Sequence, residues 1–170
     1  MAGVQTKLEV IGIRDTVQLL KKTEPEIFKE FRSKAKFAVD PIVKDAQARL
    51  NEASSRNGFA PLSGLVRPWG KKKGRVVPGW SQSKAVKGVK VQVRPSKTAF
   101  LTVTQREIAP AVFDIAGRKN SNRLSLQLDL FARASRTMWP AAESKQDQVE
   151  KNLAELVDYV NEKTNKKLRY

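Results

Sequence analysis

PEIFKEFRSKAKFAVDPIVKDAQARLN, residues 25–51, decides the architecture. Phe28, Phe31, Ala35, Val39, Ile42, Ala46 and Leu50 recur at steps of three or four, which puts them on one side of a helix. Pro25 suits a first helical position, and Glu24 and Glu26 suit the positive end of the helix dipole. Glu30 and Lys34, four apart, add weak support on the outer side. Asp40-Pro41 interrupts the pattern, either as a kink or as the start of a second helix at Pro41 capped by Asp40. Because the stripe stays in phase across the break, a kink is the expectation. Unbroken, the helix would be roughly 40 Å long at about 1.5 Å per residue. Upstream, Asp15 to Lys22 reads as a short helix with Val17 and Leu20 inward.

Downstream the periodicity changes. From Ala53 to Ala85, Gly58, Pro61, Gly64, Pro68, Gly70, Gly74, Pro78 and Gly79 break regular structure, so this stretch reads as an extended basic loop. Val89, Val91 and Val93 then alternate with Lys90, Gln92 and Arg94, a strand with one buried face. Pro95-Ser96-Lys97 can turn the chain, and Phe100 to Gln105 reads as the returning strand. Pro110 to Gly117 resembles a short helix or turn. Leu124, Leu126, Leu128 and Leu130 alternate as a strand would, although Leu124, Leu128 and Phe131 also fit one helical face; a strand, followed by a loop through Arg136, is the preferred reading. Pro140 opens a second long helix, with Val149, Leu153, Leu156, Val157 and Val160 as its stripe and Lys163, Lys166 and Lys167 near its negative end.

The sequence therefore predicts one α+β domain over residues 1–170: a small antiparallel sheet packed by two long helices, with a long basic loop insertion. Its parts are an N-terminal helical segment at 15–51, the loop at 53–85, sheet and turns at 86–136, and a C-terminal helix at 140–168.

Composition narrows the chemistry. At 170 residues and 40% hydrophobic, the chain can build a modest core. No apolar run reaches the roughly 18 residues a membrane span needs, and Met1 to Val10 lacks the pattern of a secretory signal, so synthesis in the cytosol and no membrane partner are expected. The chain has no Cys and no His. Thiolate nucleophiles, Ser-His and Cys-His arrangements and the commonest transition-metal ligands are therefore excluded. Asp114 and Glu107 flank a short apolar segment, and Asp40 and Asp45 lie five apart, but neither pair carries the partners that acid–base or metal chemistry requires. No catalytic residue, metal site or cofactor is expected.

Charge is the feature that asks for a partner. The chain carries 33 Lys and Arg against 17 Asp and Glu, a net charge of +16. Between Glu52 and Glu107 there is no acid, while Arg56, Arg67, Lys71, Lys72, Lys73, Arg75, Lys84, Lys87, Lys90, Arg94, Lys97 and Arg106 all fall there. Like charges repel, so concentrating them costs stability unless something neutralises them. Lys71, Lys72, Lys73, Arg75, Lys84 and Lys87 are the candidate contacts with an acidic protein face or with DNA phosphates. No helix-turn-helix, zinc finger or RNA-binding aromatic pair accompanies them, so a DNA contact would be to backbone. Trp69, Trp80 and Trp139 are candidate anchors for a neighbouring subunit; the alternative for Trp69 and Trp80 is packing on their own core.

Three short segments carry a family resemblance. Ala60-Pro61-Leu62-Ser63-Gly64-Leu65 follows the long helix as a glycine turn, Pro110-Ala111-Val112-Phe113-Asp114-Ile115-Ala116-Gly117 places Asp114 as an acid, and Met138-Trp139-Pro140-Ala141-Ala142 opens the last helix. Their order and spacing resemble the tail-completion, or head–tail joining (neck), family of long-tailed bacteriophages. Two departures stand out: the basic loop from Arg67 to Lys84 intervenes where the family runs almost directly into strands, and the family's tyrosine before the acid is replaced by Ala111 to Phe113. The resemblance implies a non-enzymatic virion protein of the neck or tail, assembled in the host cytoplasm. It would form a ring with copies of itself, taken as a hexamer, around the DNA channel. Its partners would be adjoining neck and tail-tube proteins, with the Lys71–Arg75 cluster meeting protein first and genomic DNA second. The competing reading is a nucleoid-like protein that coats DNA without sequence preference; it calls for tight, steeply salt-dependent duplex binding.

Overall fold

The computed structural model describes residues 4–8, 21–55, 63–68, 71–72, 75–76, 79–93, 101–116, 123–129 and 132–168. Their elements, in chain order, are β1 (Val4–Leu8), α1 (Pro25–Ala38), α2 (Asp40–Ser55), α3 (Ser63–Val66), β2 (Lys71–Lys72), β3 (Arg75–Val76), α4 (Gln82–Gly88), β4 (Val89–Val93), β5 (Leu101–Gln105), α5 (Ile108–Ile115), α6 (Arg123–Asp129), α7 (Met138–Ser144) and α8 (Gln146–Leu168). The fold is α+β.

The predicted stripe is buried: Phe31, Ala35, Val39, Ile42, Ala46 and Leu50 all face inward, with Ile27 buried in place of half-buried Phe28. The break falls at Val39, one residue before the Asp40-Pro41 pair. Pro41 has no N–H to donate to Phe37, so the regular ladder stops there. The Ile42 N–H donates to the Val39 carbonyl at 3.1 Å. The Ala38 carbonyl is taken instead by the Asn152 side chain of α8, at 3.1 Å. The stripe keeps its phase across the interruption, and an acceptor freed by the break is satisfied from the neighbouring helix.

β4 and β5 pair antiparallel, as expected of the two strands, with Val89 opposite Gln105 and Val93 opposite Leu101. A strand that the sequence reading did not include, β1, pairs antiparallel with the other side of β5, giving the order β1-β5-β4. Val89, Val93, Leu101 and Val103 are buried on the face packed by α1 and α2, whereas Lys90, Gln92 and Thr102 stand on the other face with Thr104. The C-terminal helix lies chiefly along α1. It begins earlier than Pro140, at Met138, and is divided at Lys145 into α7 and α8; Val149, Leu153, Leu156 and Val160 are buried as expected and Val157 half so.

Two expectations are corrected. The 53–85 stretch is not one extended loop, because α3, the β2–β3 ladder and most of α4 lie within it. These elements are shorter than the window over which periodicity registers, yet Leu65 and Ala85 are fully buried and hold α3 and α4 to the core. Nor is Leu124 to Leu130 a strand: residues 123–129 form α6. Leu128 is 0% exposed and Leu126 60%, which no strand face shared by i and i+2 allows. Within the stretch read as sheet and turns, residues 108–115 are also helical, as the short helix anticipated near Pro110. The expected helix over Asp15 to Lys22 falls within the description only from residue 21, and residues 21–23 are helical. The turn at 95–97 lies outside the described residues.

Gln105 explains how α4 meets the sheet. It is 1% exposed; its Nε2 donates to the Ala85 carbonyl at 2.8 Å and its Oε1 accepts the Glu107 N–H at 2.9 Å. Gly88 leaves room for it, since a Cβ there would sit 2.0 Å from Gln105 Oε1. Gly88→Ala should therefore destabilise the protein by about 1–3 kcal/mol through displacement of that side chain, read as a lowered urea midpoint; an unchanged midpoint would show that Gln105 is free to move.

Across the α1–α8 contact, Glu30 accepts hydrogen bonds from the Tyr159 hydroxyl and from Lys163 Nζ, the latter at 2.5 Å, and Lys34 Nζ lies 3.6 Å from the Tyr159 ring centroid. The Lys163 and Tyr159 hydrogen bonds hold the Glu30 carboxyl below its ordinary value, and Glu30 in turn raises Lys163 well above the usual lysine range. A depressed carboxyl stabilises the fold above its unfolded-state pKa, and that contribution is lost as pH falls through the folded value. The difference in melting temperature between wild type and Glu30→Gln should thus shrink on acidification from about pH 7 to about pH 3; a difference that is constant with pH would contradict the pairing.

Candidate functional site

The described site residues derived from the sequence lie on several different elements. Lys71 and Lys72 lie in β2 and Arg75 in β3, with Lys72 opposite Arg75 in the register; Lys73 and Trp69 lie outside the described residues. Lys84 and Lys87 are exposed on α4. Trp80 is half-buried and meets Phe113 edge to face, with centroids 5.3 Å apart and planes at 67°, while its backbone N–H donates to the Leu65 carbonyl at 2.6 Å. Within this chain Trp80 therefore packs on its own core. Trp139, on the first turn of α7, is 58% exposed.

What the fold does bring together is the described part of the segments that carry the family resemblance. α3 packs against α5, and its Leu65 holds Trp80 over Phe113. The next residue on α5, Asp114, is 1% exposed. Its Oδ1 accepts the Thr137 N–H at 2.5 Å, the Thr137 hydroxyl at 2.7 Å and the Met138 N–H at 3.2 Å, so it caps α7 from another helix. Its backbone carbonyl accepts the N–H groups of Ser135 and Arg136, at 2.6 and 3.3 Å. Ser135 adopts a positive φ of 68°, which turns the chain so that both reach the same oxygen.

Arg136 completes the knot and was not singled out from sequence; an arginine in a polar stretch gives no signal that it will be buried. Its guanidinium donates to the carbonyls of Phe113 (2.8 Å), Ala116 (2.8 Å) and Leu128 (3.2 Å) and to Asp129 (3.2 Å). Burial lowers its pKa from the ordinary value, opposed by the charges of Asp129 and Asp114. An arginine so placed joins the C-terminal ends of α5 and α6, where carbonyls lack helical partners.

Chemically this is a cross-link. Asp114 has one oxygen saturated and the other buried without a hydrogen-bond partner, so neither is presented to a substrate. A cavity of about 270 Å³ lies beside the knot, lined by Arg49, Glu52, Phe113, Arg136 and Thr137 among others. Its cations are engaged: Arg49 pairs with Asp45 at 2.7 Å, and Arg136 is bonded as above. Among the described residues, no three His, Cys, Asp or Glu side chains converge as a metal site would need. The outer side of α5 is different in kind: Ile108 and Ile115 are exposed and Val112 is half-buried, at i, i+4 and i+7.

Asp114→Ala removes three hydrogen bonds and the helix cap, and should cost about 2–4 kcal/mol. Asp114→Asn keeps an acceptor for the same donors and should cost less. Chemical denaturation of both variants checks the order; equal losses would mean that the charge, not the cap, is what matters.

No protein-family model, curated protein or solved structure matches the chain, so the meeting of the three segments around Phe113 and Asp114 stands on its own geometry.

Proposed function

We propose that this chain is a structural subunit of the neck or tail of a long-tailed bacteriophage, a tail-completion or head–tail joining protein that acts as a ring. One observation carries the reading. The three segments that resemble that family lie apart in the sequence, yet their described residues meet around Phe113 and Asp114. The acid of the second segment caps the helix opened by the third. Residues bound together by one packing problem make a more specific signature than three short strings scattered over a surface.

The surfaces suit such a subunit. A head-to-tail ring requires two different faces that complement each other. Exposed Trp139 and the Ile108–Ile115 side of α5 are apolar features on separate helices, of the kind that forms the centre of protein interfaces. The cations at Lys71, Lys72 and Arg75 sit on a short antiparallel ladder and are assigned to an acidic neighbouring protein.

In a phage whose own copy of this gene is disabled, the wild-type chain should restore joined, infectious particles. Lys71→Glu, Lys72→Glu and Lys73→Glu together should leave the purified chain folded and block joining; normal yields of joined particles would remove the assignment of that cluster. Trp139→Ala should reduce ring formation by the purified chain, measured by mass photometry. A chain that neither forms rings nor enters particles would refute the reading itself.

A further inference from the structure

The molecule also presents a second surface of different chemistry, where α4 runs directly into β4. Lys84 and Lys87 are exposed three residues apart on α4, and Lys90 is exposed two residues into the outward face of β4. Arg106 is exposed just past the end of β5, and its N–H donates to the Gly88 carbonyl at 3.0 Å, which fixes it beside the α4–β4 junction. Continued alternation past buried Gln105 puts Arg106 on the same side of the sheet as Lys90. Four exposed cations thus flank the junction at Gly88, from α4, from β4 and from the end of β5. None of the four forms an ion pair among the described residues, unlike Lys34, Lys44, Arg49, Arg136 and Lys163. Glu107, the acid that ends the acid-free tract, is half-buried against Gly88.

The neighbours of these cations decide what they fit. The other exposed residues of α4 are Gln82 and Ser83, and the same side of the sheet carries Gln92 and Thr102. Among the described residues, the exposed large apolar side chains, Phe37, Val66, Ile108, Ile115, Leu126 and Trp139, all belong to other elements. Protein interfaces are built on a desolvated apolar centre from which charge is depleted. Contacts to a nucleic-acid backbone are built from Lys, Arg, Ser, Thr and Gln donors. Among the described residues, α4 and β4 expose cations and neutral donors and no large apolar or aromatic side chain, which matches the second description. We infer that the α4–β4 corner, through Lys84, Lys87, Lys90 and Arg106, binds the phosphate backbone of duplex DNA without reading sequence. The inference rests on this surface alone and stands or falls apart from the ring reading.

The test is fluorescence anisotropy of a labelled random-sequence duplex with the full chain, over a range of salt. Four phosphate contacts give a slope of about −3.6 in log K against log salt, so affinity should fall about 150-fold between about 50 and about 200 mM. The variant Lys84→Gln, Lys87→Gln, Lys90→Gln, Arg106→Gln should bind at least about tenfold more weakly at about 50 mM, with most of the slope gone. A control that removes the same charge elsewhere, Arg32→Gln, Lys36→Gln, Lys151→Gln, Lys166→Gln, changes residues exposed on α1 and α8; it should bind within about twofold of wild type. Should the corner variant fail to fold, Lys84→Gln with Lys87→Gln should reduce the slope by about two. Equal losses in corner and control variants would overturn the inference, because net charge alone would then explain binding. So would a wild-type chain that does not bind the duplex. A corner variant that loses binding to polyglutamate but keeps the duplex would overturn it in favour of an acidic protein partner.

Discussion

The carboxylate of Asp114 is the constraint on which one end of the molecule depends. A helix start leaves N–H groups without partners, and at α7 those of Thr137 and Met138 are taken by a side chain from a different helix. The cap is therefore tertiary: it ties the entry of the C-terminal helical segment to α5. Arg136 closes the other side, with its guanidinium on the final carbonyls of α5 and on α6. Asp114 and Arg136 are the two charged side chains buried among the described residues. Each is held chiefly by backbone groups, which fixes chain direction more tightly than a lone ion pair. The Phe113 ring meets both Trp80 and Arg136, with the Arg136 guanidinium 5.8 Å from its centroid.

The helical layer solves a similar problem differently. The stripe from Ile27 to Ala53 needs an inward face along its whole length, and Pro41 denies the backbone one of its ladder bonds. The break at Val39 keeps the phase of the stripe, and Asn152 supplies the donor that the Ala38 carbonyl has lost. Further along, Glu30, Tyr159, Lys163 and Lys34 join the two helices where both are open to water. These polar ties align α8 on α1, while the apolar stripes supply most of the stabilisation, about 1.5–3 kcal/mol for each large side chain fully buried.

With the interior fixed in this way, the surface divides by chemistry. Among the described residues, large apolar side chains are exposed on α1, α3, α5, α6 and α7, whereas the exposed residues of α4 and β4 are charged or neutral polar. That separation suits a chain that meets other proteins with some elements and a polyanion with another. Unpaired like charges raise the energy of the isolated chain, and a polyanion that neutralises them lowers it.

By itself the sequence determined what depends on near neighbours along the chain. The helical stripe from Phe28 to Leu50, the β4–β5 hairpin, the C-terminal stripe from Val149 to Val160 and the α+β class follow from periodicity, which is a local property. So do the exclusions drawn from the missing Cys and His, and the excess of positive charge between Glu52 and Glu107. Tertiary structure decided the rest. Residues 123–129 became a helix because Leu128 had a core to enter and Leu126 did not, although the alternation itself favoured a strand. Val4–Leu8 became a strand through its partner β5, about a hundred residues away. Asp114 and Arg136 read as ordinary polar residues, and only the meeting of α5, α6 and α7 makes them a cap and a clasp. Periodicity reports how a segment meets an inside and an outside; which distant backbone group needs a partner is set only when the elements have come together.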